Sequence, residues 1–199
     1  MEKKKDEIVI TLKKTEVKTS SDFKQEIAYA LFNNHLFKQL FIASSVQGIC
    51  FLALQCTLEE GIQELKKQFP KAIIMHKETE ATQKMAQLLN EKFSGTNNYV
   101  LHLIGTPFQQ KVWKALLDIP RGETRTYQEI TQQINYAKAF RAVGSAIGRN
   151  PISLLIPCHR VVRANKSLGG FHWGLDVKKA LLSYENQPPK TFFRFLLVN

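Results

Sequence analysis

Apolar positions change their period several times along the chain, and each change marks an element. Residues 40–55 read LFIASSVQGICFLALQ, two β-rich runs on either side of Gln47-Gly48, which predicts a hairpin. Over 58–69 the apolar residues fall at Leu58, Ile62, Leu65 and Phe69, a helical spacing that Pro70 stops. A short strand-like run follows at 72–75. Residues 79–93 return to a helical period with Met85, Leu88 and Leu89 on one face. The first 38 residues are polar at first, with Lys3, Lys4 and Lys5 as a solvated charge run, and yield no predicted element. The turn-rich Gly95-Thr96-Asn97-Asn98 marks a boundary. The expected organisation is an α/β domain over 1–98, a mainly α domain over 99–187 and an apolar tail over 188–199.

The second half is denser in signals. Thr106-Pro107 reads as a helix cap followed by proline at the first helical position, and the helix buries Phe108, Val112 and Leu116 before Pro120. Thr126-Tyr127-Gln128-Glu129 has the form of a capping box, so a short helix begins at Tyr127 and runs to about Ile134. After Asn135-Tyr136 a second helix is expected over about 137–148. Phe140, Val143 and Ile147 give it a core face. Lys138, Arg141, Ala142, Ser145 and Arg149 lie on the other side, basic and small. Such a pair fits a helix-turn-helix, and equally an ordinary helical pair. A small exposed face lets a backbone approach closely but reads few base edges, which favours binding by shape and phosphate.

Charge sharpens this division. The first 99 residues carry 14 lysines against 12 acidic residues and no arginine. The remaining hundred carry seven lysines and all seven arginines against five acidic residues. Arginine pairs with phosphate in bidentate fashion, so the basic half suggests a polyanionic partner. MEKKKDEIVI has no signal-peptide core, and no apolar stretch approaches the length of a membrane span. Cys50, Cys56 and Cys158 are an odd count without metal-ligand spacing, and Cys50 and Cys56 fall in core strand positions. A reducing compartment is expected, the cytoplasm in a prokaryote or the nucleus in a eukaryote, with no cofactor, no metal and a monomeric state.

The most reactive stretch is SLLIPCHRVV, residues 153–162. Ile152 to Ile156 reads as a short strand that Pro157 ends. In an extended chain Cys158 and His159 point to opposite faces, so they cooperate only if the chain turns here or a water joins them. Cys158 is then either a thiolate nucleophile with an imidazole partner or a buried inert thiol. Downstream, 161–165 form a strand, Gly169-Gly170 a loop, and Asp176 caps a last helix that buries Val177, Ala180, Leu181 and Tyr184. Glu185 ends that helix.

Residues 105–185 resemble the O6-alkylguanine-DNA alkyltransferases, also called methylated-DNA–protein-cysteine methyltransferases. TPFQQKVWKAL, IPRGETRTYQEI, RAVGSAIGRNP, IPCHRVVRAN and GGFHWGLDVKKALLSYE occur in that family's order and spacing. The resemblance implies an α/β N-terminal domain and a mainly α C-terminal domain with a helix-turn-helix of winged-helix type. It implies double-stranded DNA containing O6-alkylguanine as partner, with O4-alkylthymine as a second candidate lesion, bound through the minor groove. Cys158 is then the alkyl acceptor, His159 draws its proton through a water, Glu185 orients His159, Asn150 shapes the turn, and Tyr127 donates as guanine leaves. Arg141 replaces the extruded base, with Tyr127, Ala139, Ala142, Ser145 and Arg149 completing the DNA surface. Val161, Val162, Arg163, Phe171 and His172 line the guanine pocket. Four positions depart from the family's pattern. Asn135 and Ala137 replace a Gly-x-Pro turn, Phe171 replaces a tyrosine, and His172 a serine or basic residue. A DNA protein that binds lesions without reacting would lack the cysteine, and a cysteine hydrolase would turn over repeatedly.

Overall fold

The computed structural model describes residues 7–90, 97–136, 139–186 and 194–198. The chain divides into two units, Met1–Gly105 with Pro189–Asn199, and Thr106–Pro188. The first unit is built on a seven-stranded mixed sheet. Its strands are β1 (Glu7–Glu16), β2 (Glu26–Asn34), β3 (Lys38–Ser45), β4 (Gly48–Leu54), β5 (Ile73–His76), β6 (Asn97–Gly105) and a late strand, Arg194–Val198, numbered β9 below. Their order across the sheet is β5-β2-β3-β4-β6-β1-β9.

The predicted hairpin is β3–β4, antiparallel, with Ser45 opposite Gly48. Gly48 has φ +139°, and a Cβ there would lie 2.4 Å from the carbonyl oxygen of Val100. Only glycine fits that approach. The predicted helices are α1 (Leu58–Gln68) and α2 (Glu80–Leu89), each opened by a threonine capping box, at Thr57 with Glu60 and at Thr79 with Thr82. The expected end of the second helix at 93 lies outside the described residues.

Four strands of this sheet, β1, β2, β6 and β9, carried no predicted element. β6 pairs in parallel with both β1 and β4, and Tyr99, Leu101, His102, Leu103 and Ile104 are all buried. A strand covered on both faces has no alternation to read. Residues 99–105, grouped with the second domain in the sequence reading, therefore lie in the first unit's sheet. The tail supplies β9, which pairs in parallel with β1 from Glu7 opposite Arg194 to Thr11 opposite Val198.

The second unit is helical. It contains α3 (Pro107–Leu117), α4 (Tyr127–Gln133), α5 (Phe140–Gly148) and α6 (Leu175–Glu185), with a two-residue parallel ladder of β7 (Arg125–Thr126) and β8 (Val161–Val162). Thr106 and Thr126 cap α3 and α4 with complete capping boxes to Gln109 and Glu129. Trp113 is fully buried and donates from Nε1 to the Ala146 carbonyl at 2.8 Å, locking α3 against α5.

Several sequence expectations need correction here. Phe140 is 47% exposed, and the core face of α5 is Val143, Ala146 and Ile147. Phe108 is only half-buried, packed edge-on against Tyr136. Residues 152–156 form turns rather than a strand, with Leu154 at φ +69°. The cap of α6 is Gly174, while Asp176 lies within its first turn; the buried residues of α6 are Lys178 and Leu181, and Ala180 is exposed. Among the described residues no helix is long and apolar enough to cross a membrane.

His102 makes the first unit pH-sensitive. Its Nδ1 lies 2.6 Å from the Ser45 hydroxyl and its Nε2 2.8 Å from that of Thr15, and it is fully buried. Burial pushes its pKa down to about 4. The unfolded chain therefore binds a proton, at a histidine near 6.5, before the folded chain does. Stability is full above pH 6.5 and falls as pH drops toward 4. The loss is about 3 kcal/mol, given a folded value of about 4. Thermal melts between pH 7 and 4 should show this decline in the wild type and a shallower one in His102→Asn.

Candidate functional site

The reactive trio sits on a turn. Cys158–Arg160 form a single 3-10 turn after Pro157. Three residues per turn splay the side chains of Cys158, His159 and Arg160 around the axis instead of alternating them across a strand. The turn is fixed by Asn150. Its Oδ1 accepts from the Ile152 N–H at 3.0 Å, and its Nδ2 donates to the Ile156 carbonyl at 2.8 Å and to the Cys158 sulfur at 3.1 Å.

Behind the turn lies a shared carboxylate. Glu185 Oε1 accepts from His159 Nε2 at 2.9 Å and from Arg160 Nη2 at 2.8 Å, and its Oε2 accepts from Arg160 Nε at 3.0 Å. Arg160 Nη1 also donates to the Ile119 carbonyl at 2.6 Å. Burial alone would raise the Glu185 pKa. The hydrogen bonds and charges of His159 and Arg160 outweigh it and bring the group down to about 2. An ionised carboxylate only accepts hydrogen bonds, so His159 must carry its hydrogen on Nε2. In the neutral ring, Nδ1 is then the basic nitrogen. It is buried and has no hydrogen-bond partner among the described residues.

The thiol is not ionised by its immediate surroundings. Burial pushes the Cys158 pKa up, against the lowering influence of the Asn150 amide, the Lys178 charge and the backbone N–H groups of Cys158 and His159. Burial also pushes up Cys50, to about 12, and Cys56, to about 11. Cys158 differs from them in place. It opens on a cavity of about 300 Å³ lined by Tyr127, Gly144, Ile147, Gly148, Asn150, Ser153, Gly170, Phe171, His172 and Trp173. That is the lower end of small-molecule pockets.

Of the expected pocket residues, Phe171 and His172 line this cavity. Val161 and Val162 are buried in β8, and Arg163 is exposed outside it. Tyr127 stands on the pocket wall; burial, then the charge of Cys158, raises its phenol pKa, and Arg163 lowers it. Gly169, at φ +66°, leaves room for the Tyr127 hydroxyl, which a Cβ would meet at 3.2 Å. On α5, Arg141, Ala142 and Ser145 are exposed, Arg149 is the exposed C-cap, and Ala139 is the half-buried N-cap. Ala137 and Lys138 lie outside the described residues.

Sequence reasoning missed three contributors. Trp173 lines the pocket with its indole N–H donated to Ser153 Oγ at 2.6 Å, and it packs edge-on against His172. Nothing local in a glycine-flanked loop distinguishes it. Arg160 makes a two-pronged contact with Glu185, 25 residues along the chain, which no local pattern signals. Lys178 is fully buried near the sulfur, where a lysine is not expected. Among the described residues no group of three His, Cys, Asp or Glu is placed to hold a metal.

The chain is similar to known proteins of one family. Residues 107–187 match the family model described as 6-O-methylguanine DNA methyltransferase, DNA binding domain. A probable methylated-DNA–protein-cysteine methyltransferase of Acanthamoeba polyphaga mimivirus is 50% identical over 103 residues, which is 50% of this chain and 68% of that protein. The inducible methylated-DNA–protein-cysteine methyltransferase of Bacillus subtilis is 35% identical over 150 residues, 74% of this chain and 84% of that protein. The crystal structure of Mycobacterium tuberculosis OGT in complex with DNA superposes with a TM-score of 0.61 at 32% identity, covering 81% of this chain and 92% of the other.

Removing the shared carboxylate exposes its structural role. Glu185→Ala leaves the Arg160 guanidinium, 14% exposed, without its anion. Such a loss costs about 3–5 kcal/mol. Urea denaturation should show that drop, with Glu185→Gln losing less.

Proposed function

The chain belongs to the methylated-DNA–protein-cysteine methyltransferase family, and on that premise we propose that it repairs DNA by moving the alkyl group of O6-alkylguanine onto its own Cys158. One observation carries the assignment to this residue. The Cys158 sulfur opens on a pocket of about 300 Å³, and His159, next to it on the same turn, is paired with Glu185 at the end of α6. A thiol with only burial around it, such as Cys50, has neither an opening nor a base.

The chemistry follows from the geometry. An alkylated O6 lies inside the base stack, so the nucleotide leaves the duplex to be reached. Arg141, exposed on α5, fills the place it vacates. The Cys158 proton passes through a water to His159 Nδ1, and Glu185 steadies the imidazolium that forms. The sulfur then attacks the alkyl carbon from the side opposite O6. A C–S bond forms, the C–O6 bond breaks, and its electron pair stays on guanine. Tyr127, on the pocket wall, offers its hydroxyl hydrogen to that leaving base. The product thioether has no leaving group as good as guanine, so each molecule acts once.

The α5 surface supports a groove contact that depends little on sequence. Ala142, Ser145 and Gly148 present no side chain long enough to read base edges in a major groove. Arg141 and Arg149 add charge for phosphate on the same exposed side.

Incubation with a duplex containing one O6-methylguanine should add a single methyl group, located by peptide mass spectrometry on Cys158. Repeated turnover, or methylation at another residue, would overturn the assignment. Cys158→Ala should abolish transfer and keep duplex affinity. Arg141→Ala should slow transfer from duplex by about 10- to 100-fold, the scale of an unstacking cost of a few kcal/mol. Its reaction with free O6-methylguanine base should change little; equal losses on both substrates would contradict the role given to Arg141.

A further inference from the structure

Lys178 brings to the site a charge that the steps above leave unused. It lies in the first half of α6 and is fully buried. Its Nζ donates to three backbone carbonyls, those of Val161 at 2.6 Å, Gly170 at 3.3 Å, and Leu168. Val161 directly follows the turn that carries Cys158. Leu168 and Gly170 bracket Gly169, and Gly170 lines the pocket. One ammonium therefore ties the helix, the strand after the nucleophile and the glycine wall of the pocket together.

Carbonyl dipoles alone are a poor home for a buried cation. Lysine is rarely fully buried without a paired anion, because desolvation of the charge costs several kcal/mol. The salt bridges of the described residues give Lys178 no carboxylate partner. Burial pushes its pKa down to about 8, and the charge that acts against this is that of Cys158. The relation is mutual, since the Lys178 charge lowers the Cys158 pKa. Other groups around the sulfur do not compete for this role. Asn150 is neutral, the Tyr127 phenol is pushed up, and the charges of Arg160 and Glu185 are spent on each other and on His159.

We propose that Lys178 is a positioning residue for alkyl transfer: its buried ammonium is the counter-charge against which the Cys158 thiolate forms, and the same ammonium holds the 168–170 wall of the pocket beside that sulfur. His159 removes the proton and Lys178 stabilises what is left. After transfer the sulfur is a neutral thioether, so Lys178 keeps its carbonyls but loses its anion. The alkyl-transfer half of this proposal rests on the function proposed above; the thiol–ammonium pairing does not.

The test is done on free protein without DNA. The rate of iodoacetamide capture at Cys158, followed by peptide mass spectrometry across pH, reports the thiol's ionisation. Lys178→Met keeps the length and removes the charge. Its inflection should move up by about one to three pH units relative to wild type, the effect of losing a close opposite charge. An unmoved inflection in a folded variant overturns the proposal. If Lys178→Met does not fold, the wild type provides the answer. The side-chain carbon resonance of Lys178, titrated by NMR before and after capping Cys158 with iodoacetamide, should show a lower pKa in the capped protein, and an unchanged titration overturns the proposal. Failure of methyl transfer from a duplex would sink the functional reading and leave these titrations untouched, while normal transfer with an unmoved thiol would sink the Lys178 role alone.

Discussion

One carboxylate, shared by an arginine and a histidine, holds the reactive turn in place. Glu185 sits at the last position of α6, and both of its oxygens are occupied by consecutive residues of a 3-10 turn 25 and 26 residues earlier. Burial by itself disfavours the charge of this carboxylate, so its ionisation depends on the hydrogen bonds and charge that His159 and Arg160 supply. Arg160 supplies the permanent charge. Its guanidinium meets both oxygens of Glu185 and, with the His159 hydrogen bond, holds that carboxylate's pKa down. The identity of the basic nitrogen follows as well. Because Nε2 faces an acceptor that cannot donate, the basic site is Nδ1, on the side of the ring away from Glu185.

A second constraint opposes the first. The pocket that must exclude water also raises the thiol's pKa, so the resting sulfur is protonated more than a free cysteine would be. A standing thiolate would be open to any electrophile that reached it. In the proposed mechanism the nucleophile is consumed by use, and its ionisation calls on the base, the Asn150 amide and a buried positive charge together. The cost of burying the sulfur is thus offset only where the remaining parts of the reaction are assembled.

Legibility in the sequence tracked the range of the interactions. Capping boxes at Thr106 and Thr126 were readable because donor and acceptor lie three residues apart. The β3–β4 hairpin was readable through Gln47-Gly48. β6 was not, because burial on both faces removes the alternation that marks a strand. The 152–156 run misled in the opposite direction: its residues are apolar because they are buried, but Leu154 adopts φ +69° and the segment turns. Phe140 has a core residue's composition at a core period and yet is exposed, since Val143, Ala146 and Ile147 fill the contact with α3 and α4. At the site, the motifs named Cys158, His159, Glu185 and Asn150, whereas Lys178 and Trp173 acquire their meaning only from contacts 10 to 20 residues away.

The α5 helix joins these strands of the argument, because it has two uses and one composition. Gly144, Ile147 and Gly148 lie along its pocket side, while Arg141, Ala142 and Ser145 face solvent. At 100° per residue, positions 141, 144, 145 and 148 fall within one quadrant or so of the helix circumference. The surface proposed to meet the duplex and the wall of the cavity proposed to receive the base are therefore neighbouring strips of a single two-and-a-half-turn helix. A long side chain at 144 would fill the cavity, where a Cβ already comes within 3.9 Å of the Tyr127 ring. Bulk at 145 or 148 would hold the backbone away from a groove. Smallness along this face is thus required twice, once for the depth of the pocket and once for the closeness of the duplex, and a nucleotide leaving the stack beside Arg141 has only the width of that helix to cross.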